Sequence, residues 1–203
     1  MEFTTIMCMR KISMDRETKE TKISIQLDLD GEGISEINTG IPFFDHLLVL
    51  FAKHSYINLS IFAKGDLEVD DHHTVEDIGI CLGQAIKKAL GDKKGIKRYA
   101  SILLPMDEAL VSVAVDISGR PFLSYKVDPD RKQVKEFEIE LVKEFLIALV
   151  NNTGITLHIE QRAGENTHHI LEAVFKGLAR VIDLSTQIRT TNPKNIPSSK
   201  GIL

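Results

Sequence analysis

Two short stretches hold the residues with the most chemistry. "DDHHTVEDIG" (70–79) sets His72 and His73 side by side with Glu76 three residues on, and "NTHHILEAVF" (166–175) does the same with His168, His169 and Glu172. The spelling HHxxE thus recurs at a separation of 168 − 72 = 96 residues in a chain of 203. Imidazoles and carboxylates without thiolates suit Mn, Fe or Zn, and a high ligand count favours near-octahedral Mn. Residues three or four apart share a helix face, so one histidine of each pair can hold an ion together with its glutamate. Adjacent residues lie about 100° apart around the axis, which lets the other histidine serve a second ion. One HHxxE alone is an ordinary surface or helix-start feature; its repetition on equivalent helices points to ligation.

The elements around these stretches repeat as well. "TKISIQLDLDG" (21–31) alternates apolar and polar residues as a strand does and meets a DG turn signal, so "GISEIN" (33–38) is expected as its hairpin partner. "IPFFDHLLVLFAKH" (41–54) reads as a helix, with Pro42 in the first turn and Phe43, Phe44, Leu47, Leu48 and Phe51 at helical spacing. A strand over 56–65 follows, then the first HHxxE helix, with Val75, Ile78, Leu82 and Ile86 on its apolar face. The second half offers strands over 99–106, 109–119 and 121–127, a helix over 137–150, a strand over 154–161 and the second HHxxE helix. "FFDHLLVLFAKHSYINLSI" lies over "VKEFLIALVNNTGITLHI", which sets His46 opposite Glu144 and adds a candidate ligand to each copy. An internal duplication explains this order better than chance. The expected fold is α+β with halves at 1–95 and 96–190; the polar, Pro-rich tail at 191–203 has the composition of a mobile segment.

Composition narrows the function. The net charge of −4, from 25 basic and 29 acidic residues, gives no nucleic-acid footprint. Apolar runs fall far short of the roughly 20 residues of a membrane helix. "MEFTTIMCMRKISM" carries its basic residues after a short apolar stretch, the reverse of a secretory signal, with Met7, Met9 and Met14 as alternative starts. Cys8 and Cys81 make no disulfide framework, and Cys81 falls on an apolar helical pattern as a buried thiol. A reducing cytoplasm is the expected compartment.

"GIPFFDHLL", "DDHHTVEDIGICLGQA", "PMDEAL", "DISGRP", "NTHHILEAVFKGLAR" and "PSSKG" occur in the order of the imidazoleglycerol-phosphate dehydratase family, which the chain resembles from about residue 15 to its end. The resemblance implies dehydration of D-erythro-imidazole-glycerol phosphate to imidazole-acetol phosphate in histidine biosynthesis. It implies two Mn2+ ions per active site and a metal-stabilised imidazolate. Each half is expected as a small sheet backed by two helices, the two halves packed together. The site is expected between subunits, in a 24-mer built from trimers.

Carried over position by position, the resemblance makes His46, His72, His73, Glu76, His168, His169 and Glu172 metal ligands. Glu144 stands where the family often has histidine and is kept as a ligand. Glu20 matches a carboxylate of acid–base catalysis, and Asp107 a group supporting proton transfer or site geometry. Arg98, Arg120, Ser199 and Lys200 match phosphate contacts, the last two on a tail that closes over substrate. His54 and Lys176 are expected at the substrate with Glu20, His46, His72 and His168. Taken alone, Glu20 reads as a solvated strand-edge charge, Asp107 as a turn residue and each basic residue as surface charge. A di-metal hydrolase and a metal-storage bundle are the competing readings. The storage bundle uses Glu-x-x-His on long helices, the reverse of the order here.

Overall fold

Alternating apolar residues build two sheets of identical strand order. A computed structural model describes residues 10–203; Cys8 and the alternative starts Met7 and Met9 lie outside the described residues. In the first half, β1 (Lys11–Glu17), β2 (Thr21–Asp28), β3 (Ser35–Asn38) and β4 (Asn58–Gly65) form a sheet of order β1-β2-β4-β3. Helix α1 (Pro42–Ser55) joins β3 to β4, and α2 (His72–Leu90) follows β4. The second half repeats this with β5 (Tyr99–Met106), β6 (Ala109–Asp116), β7 (Phe122–Lys126), α3 (Glu140–Thr153), β10 (Thr156–Ala163) and α4 (Thr167–Thr186), its sheet ordered β5-β6-β10-β7. A short hairpin, β8 (Gln133–Val134) with β9 (Phe137–Glu138), is inserted in the second half.

Three expectations need correction or addition. "GISEIN" is not the hairpin partner of β2: it is β3 and runs parallel to β4. The Asn58 side chain accepts the backbone N–H groups of Glu32 and Ile34, which steers the chain to β4, and the free edge of β2 is taken by β1. Strand β1 is an addition to the expected elements. The helix expected from 137 starts at Glu140, because Lys135 adopts a left-handed φ of 54° and turns the chain into β8–β9. Phe137 still packs inward, stacked on Phe44, so its apolar spacing mimics one more helical turn.

The inward faces of both sheets, Ile23, Ile25 and Leu27 on β2 and Val111, Val113 and Val115 on β6, are buried. The helices cover them and meet across the halves, α1 against α4 and α2 against α3. Phe44, Phe145 and Phe175 form an aromatic run through this seam, with centroids 5.3 and 5.6 Å apart. Full burial of each is worth about 1.5–3 kcal/mol. Gly79 and Gly83 on α2 permit the close approach to α3: a Cβ on Gly79 would lie 2.6 Å from the Phe145 carbonyl oxygen, and one on Gly83 would lie 2.7 Å from that of Leu149. Cys81 is buried, which pushes its thiol up to about 11. Among the described residues no helix is long and apolar enough to cross a membrane.

The tail runs back along the second half. Ile188 bridges to Ile96, Gly95 donates to the Asn195 carbonyl and Leu203 packs beside Gly119.

Candidate metal centre

Helix α1 begins with Pro42, whose fixed φ suits the first helical turn. Its buried Phe44, Leu47, Leu48 and Phe51 set the rotation that turns His46 toward α4. On α4 the Asn166 side chain accepts the His168 N–H, so the helix begins at the second HHxxE. His46 Nε2 lies 2.8 Å and His168 Nε2 3.0 Å from the same Glu172 oxygen, Oε1. One ligand atom from each of the three residues falls within 4.8 Å of the others. Lys176, one turn on, donates to Oε2 at 2.7 Å.

Glu172 has only 10% of its side chain exposed. Burial raises its pKa, but donation from Lys176, His46 and His168 outweighs that and holds the carboxyl at about 2. A carboxylate oxygen only accepts, so both histidine Nε2 atoms carry hydrogens in this arrangement. A divalent cation would take the place of those hydrogens among the same three atoms. The donor set, two imidazoles and one oxygen with no thiolate, fits a borderline or hard metal.

The pseudo-equivalent group on α2 and α3 is open. His72 Nε2 stands 4.0 Å from Glu76 Oε2, with both side chains more than two-fifths exposed. Glu144 is half-buried on α3, and among the described residues no hydrogen bond joins it to His72 or Glu76.

The remaining histidine of each pair is anchored instead by a carboxylate that sequence reasoning missed. His73 Nδ1 lies 3.1 Å from Asp66, and His169 Nδ1 lies 2.8 Å from Glu108. An acceptor at Nδ1 places the ring hydrogen there and leaves Nε2 as the lone-pair nitrogen, as ligating histidines are commonly held; at His169 the Asn166 amide nitrogen stands 3.5 Å from it. These bonds raise both histidine pKa values, and the bond from His169 holds Glu108 at about 2. The available signal was weak: Glu108 adjoins Asp107 in "PMDEA", and Asp66 follows the end of a strand.

The proposed catalytic residues sit beside these rings. Glu20 is exposed on the β1–β2 turn, close enough for its charge to raise His73. Asp107 has a left-handed φ of 50° in the β5–β6 turn and reaches within 3.8 Å of His169 Nδ1. His54 lies in the last turn of α1; burial lowers its pKa, and the charges of Lys176 and Arg180 add to that.

The basic group lies at the other end of β5. Arg98 chelates Asp116 through Nε and Nη2 and donates from Nη1 to the Pro197 carbonyl at 2.8 Å. Arg120 follows Gly119, beside which Leu203 packs, and its Nη1 donates to the Ser118 carbonyl. Ser199 and Lys200 are exposed on the tail segment between these two anchors. Arg98, the SGRP turn and the tail therefore come together. Among the described residues no hydrogen bond links them to the histidines.

A family model described as imidazoleglycerol-phosphate dehydratase matches residues 39–182. An imidazoleglycerol-phosphate dehydratase of Moorella thermoacetica is 56% identical over 196 residues, spanning 96% of this chain and 98% of its own length. One from Oceanobacillus iheyensis is 55% identical over 195 residues, covering 96% of this chain and 100% of its own. A crystal structure of the dehydratase from Staphylococcus aureus superposes with a TM-score of 0.81 at 41% identity, over 88% of this chain and 99% of that one. A crystal structure of IGPD from Pyrococcus furiosus gives a TM-score of 0.81 at 37% identity, over 94% and 100% of the two chains.

Proposed function

The chain belongs to the imidazoleglycerol-phosphate dehydratase family, hydro-lyases of histidine biosynthesis, and from that premise we propose a divalent-metal-dependent dehydration of D-erythro-imidazole-glycerol phosphate to imidazole-acetol phosphate. The observation that carries the metal dependence is the meeting of His46, His168 and Glu172 with ligand atoms within 4.8 Å. With His72, His73, Glu76, His169 and Glu144 they make a donor set for two ions, Mn2+ best by ligand number and type. When bound, the metals would supply Lewis acidity that stabilises the substrate's imidazole ring as an imidazolate.

The chain's own residues divide the remaining work. The hydroxyl lost is on the side-chain carbon attached to the imidazole ring, and the proton lost is on its neighbour, which keeps its own hydroxyl. Glu20, carboxylate-bearing and exposed beside His73, takes and returns protons, with Asp107 supporting the transfer or the site geometry. The enol product then tautomerises to the ketone. Lys176 keeps Glu172 ionised, and His54 lines the substrate with it. Arg98, Arg120, Ser199 and Lys200 hold the phosphate, Arg120 as a fork and Lys200 as a point charge, and the tail excludes water.

The reading extends to self-association. The His72–Glu76–Glu144 group is open on one chain, with His72 and Glu76 more than two-fifths exposed, as expected of a half-site completed by another copy, and a 24-mer built from trimers in the cytoplasm accounts for it. The test is turnover of imidazole-glycerol phosphate by chelated protein, with residual metal measured. Loss of activity, recovery with Mn2+ and product formation without phosphate release are expected; full turnover without metal would overturn the reading.

A further inference from the structure

The two halves anchor their first turns differently, and the difference falls on one residue pair. In the second half, β6 begins at Ala109, directly after Glu108, whose carboxylate is bonded to His169. In the first half, β2 begins at Thr21, directly after Glu20. Packing confirms the equivalence: a Cβ on Gly65 would meet Thr21 and Thr74, while one on Gly164 would meet Ala109 and Ile170. Glu20 is therefore the counterpart of Glu108. Its matching ring, His73, already bonds Asp66. The Glu20 carboxylate is thereby left without the ring contact that ties down Glu108.

Something else must then hold the Glu20 turn. One residue past Glu76 on α2 stands Asp77, buried at 7% exposure; the matching residue on α4 is Ala173. Asp77 accepts from the Arg16 guanidinium on β1 at 2.7 Å and, through its other oxygen, from the Thr21 hydroxyl. Thr21 Oγ1 lies 3.2 Å from Thr18 Oγ1, which faces the backbone N–H of Glu20 at 3.1 Å and that of Thr21 at 2.9 Å.

The direction of this chain of bonds is fixed by chemistry. An ionised carboxylate can only accept, so Thr21 commits its hydrogen to Asp77 and can only accept from Thr18, whose hydroxyl lies nearer to Thr21 Oγ1, at 3.2 Å, than to the Thr21 carbonyl oxygen, at 3.5 Å. Thr18 then presents its lone pairs to the two N–H groups. The second half lacks both ends of this device, having Ala109 for Thr21 and Ala173 for Asp77.

We propose that Asp77 is a positioning residue for Glu20, acting through Thr21 and Thr18 to hold the β1–β2 turn in register with the histidines at the start of α2. The ion pair with Arg16, which raises the arginine pKa, anchors the same carboxylate to β1. The second half shows the alternative, a turn carboxylate pinned to the ring and unable to move a proton freely. The first half fixes the backbone of the turn and leaves the carboxylate loose. The proposal rests on Glu20 being the proton carrier.

The experiment is a double-mutant cycle on the metal-loaded enzyme, using Thr21→Val, Thr21→Ser, Glu20→Gln and the Glu20→Gln/Thr21→Val pair. Thr21→Val should lower kcat about tenfold with metal content and KM near wild type, and Thr21→Ser should restore it. In the Glu20→Gln background, Thr21→Val should cost nothing further, because a positioning group has no effect once the group it positions is gone. Wild-type kcat in Thr21→Val beside an inactive Glu20→Gln would overturn the positioning role alone, as would independent, multiplying losses. Full turnover in Glu20→Gln would overturn the proton-carrier reading and the proposal with it. If Thr21→Val does not fold, Thr18→Ala cuts the same chain at an exposed link and is judged by the same cycle.

Discussion

Glu172→Gln in metal-free protein isolates what the carboxylate contributes before any ion binds. Its carboxyl is held at about 2 against an ordinary 4.5. The difference, 4.5 − 2 = 2.5 units at 1.36 kcal/mol per unit, gives about 3 kcal/mol. That is a ceiling, since a glutamine oxygen in the place of Oε1 can still accept from His46 and His168. A depressed carboxyl pKa stabilises the fold above the unfolded value and loses that contribution as pH falls through the folded value. The gap between wild type and Glu172→Gln should therefore be full at pH 7, and less than half of it should remain at pH 3. Urea unfolding followed by circular dichroism measures it, the chain having no tryptophan. Chain concentration must be fixed, because self-association shifts apparent stability. Equal stabilities at pH 7, or a gap that widens on acidification, would refute the reasoning. Adding Mn2+ should widen the pH 7 gap, since the variant loses a ligand as well as a charge.

Glu20→Gln should retain metal and substrate and lose at least about 100-fold in kcat, the low end for a general acid–base group; near-normal turnover would move Asp107 into that role. Metal affinity, measured by titration, should fall as pH drops below about 6.5, because ligating imidazoles must be neutral. The carboxylates at His73 and His169 raise those rings, so proton competition there begins at higher pH; affinity flat from pH 8 to 5 would argue against histidine ligands. Deleting residues 196 to 203 should leave metal content and assembly intact and weaken substrate binding by more than about 1.5 kcal/mol, read as KM, with Lys200→Ala showing much of the loss. Gly79→Ala forces a Cβ to within 2.6 Å of the Phe145 carbonyl oxygen and should cost about 1–3 kcal/mol of stability by overpacking, read in the same urea assay.

The duplication was legible because HHxxE and the helix–strand–helix spacing repeat together, and the apolar periods that set them are local properties of the chain. Strand β1 was not legible: in "KISMDRE" only Ile12, Met14 and Arg16 turn inward, and four of its seven residues are charged. The partner of "GISEIN" was misjudged because a DG turn is read locally, whereas the choice of β4 is made by Asn58, more than twenty residues away. At the site, His46, His168 and Glu172 could be named in advance, but their meeting depends on α1 packing against α4. Asp66, Glu108 and Asp77 escaped notice because a carboxylate that holds a ring or a turn has no motif of its own.

The place where α1 meets α4 makes the site a coincidence detector for folding. His46 comes from residues 42–55 and its two companions from residues 167–186, so the group exists only when both halves are complete and docked. During synthesis the first half emerges with the α1 face uncovered until nearly the whole chain has been made. That waiting interval is when an exposed apolar helix face is most open to wrong partners. A chain that passes through it and docks assembles its His46–His168–Glu172 group in the same event, and one that stalls part-way has none.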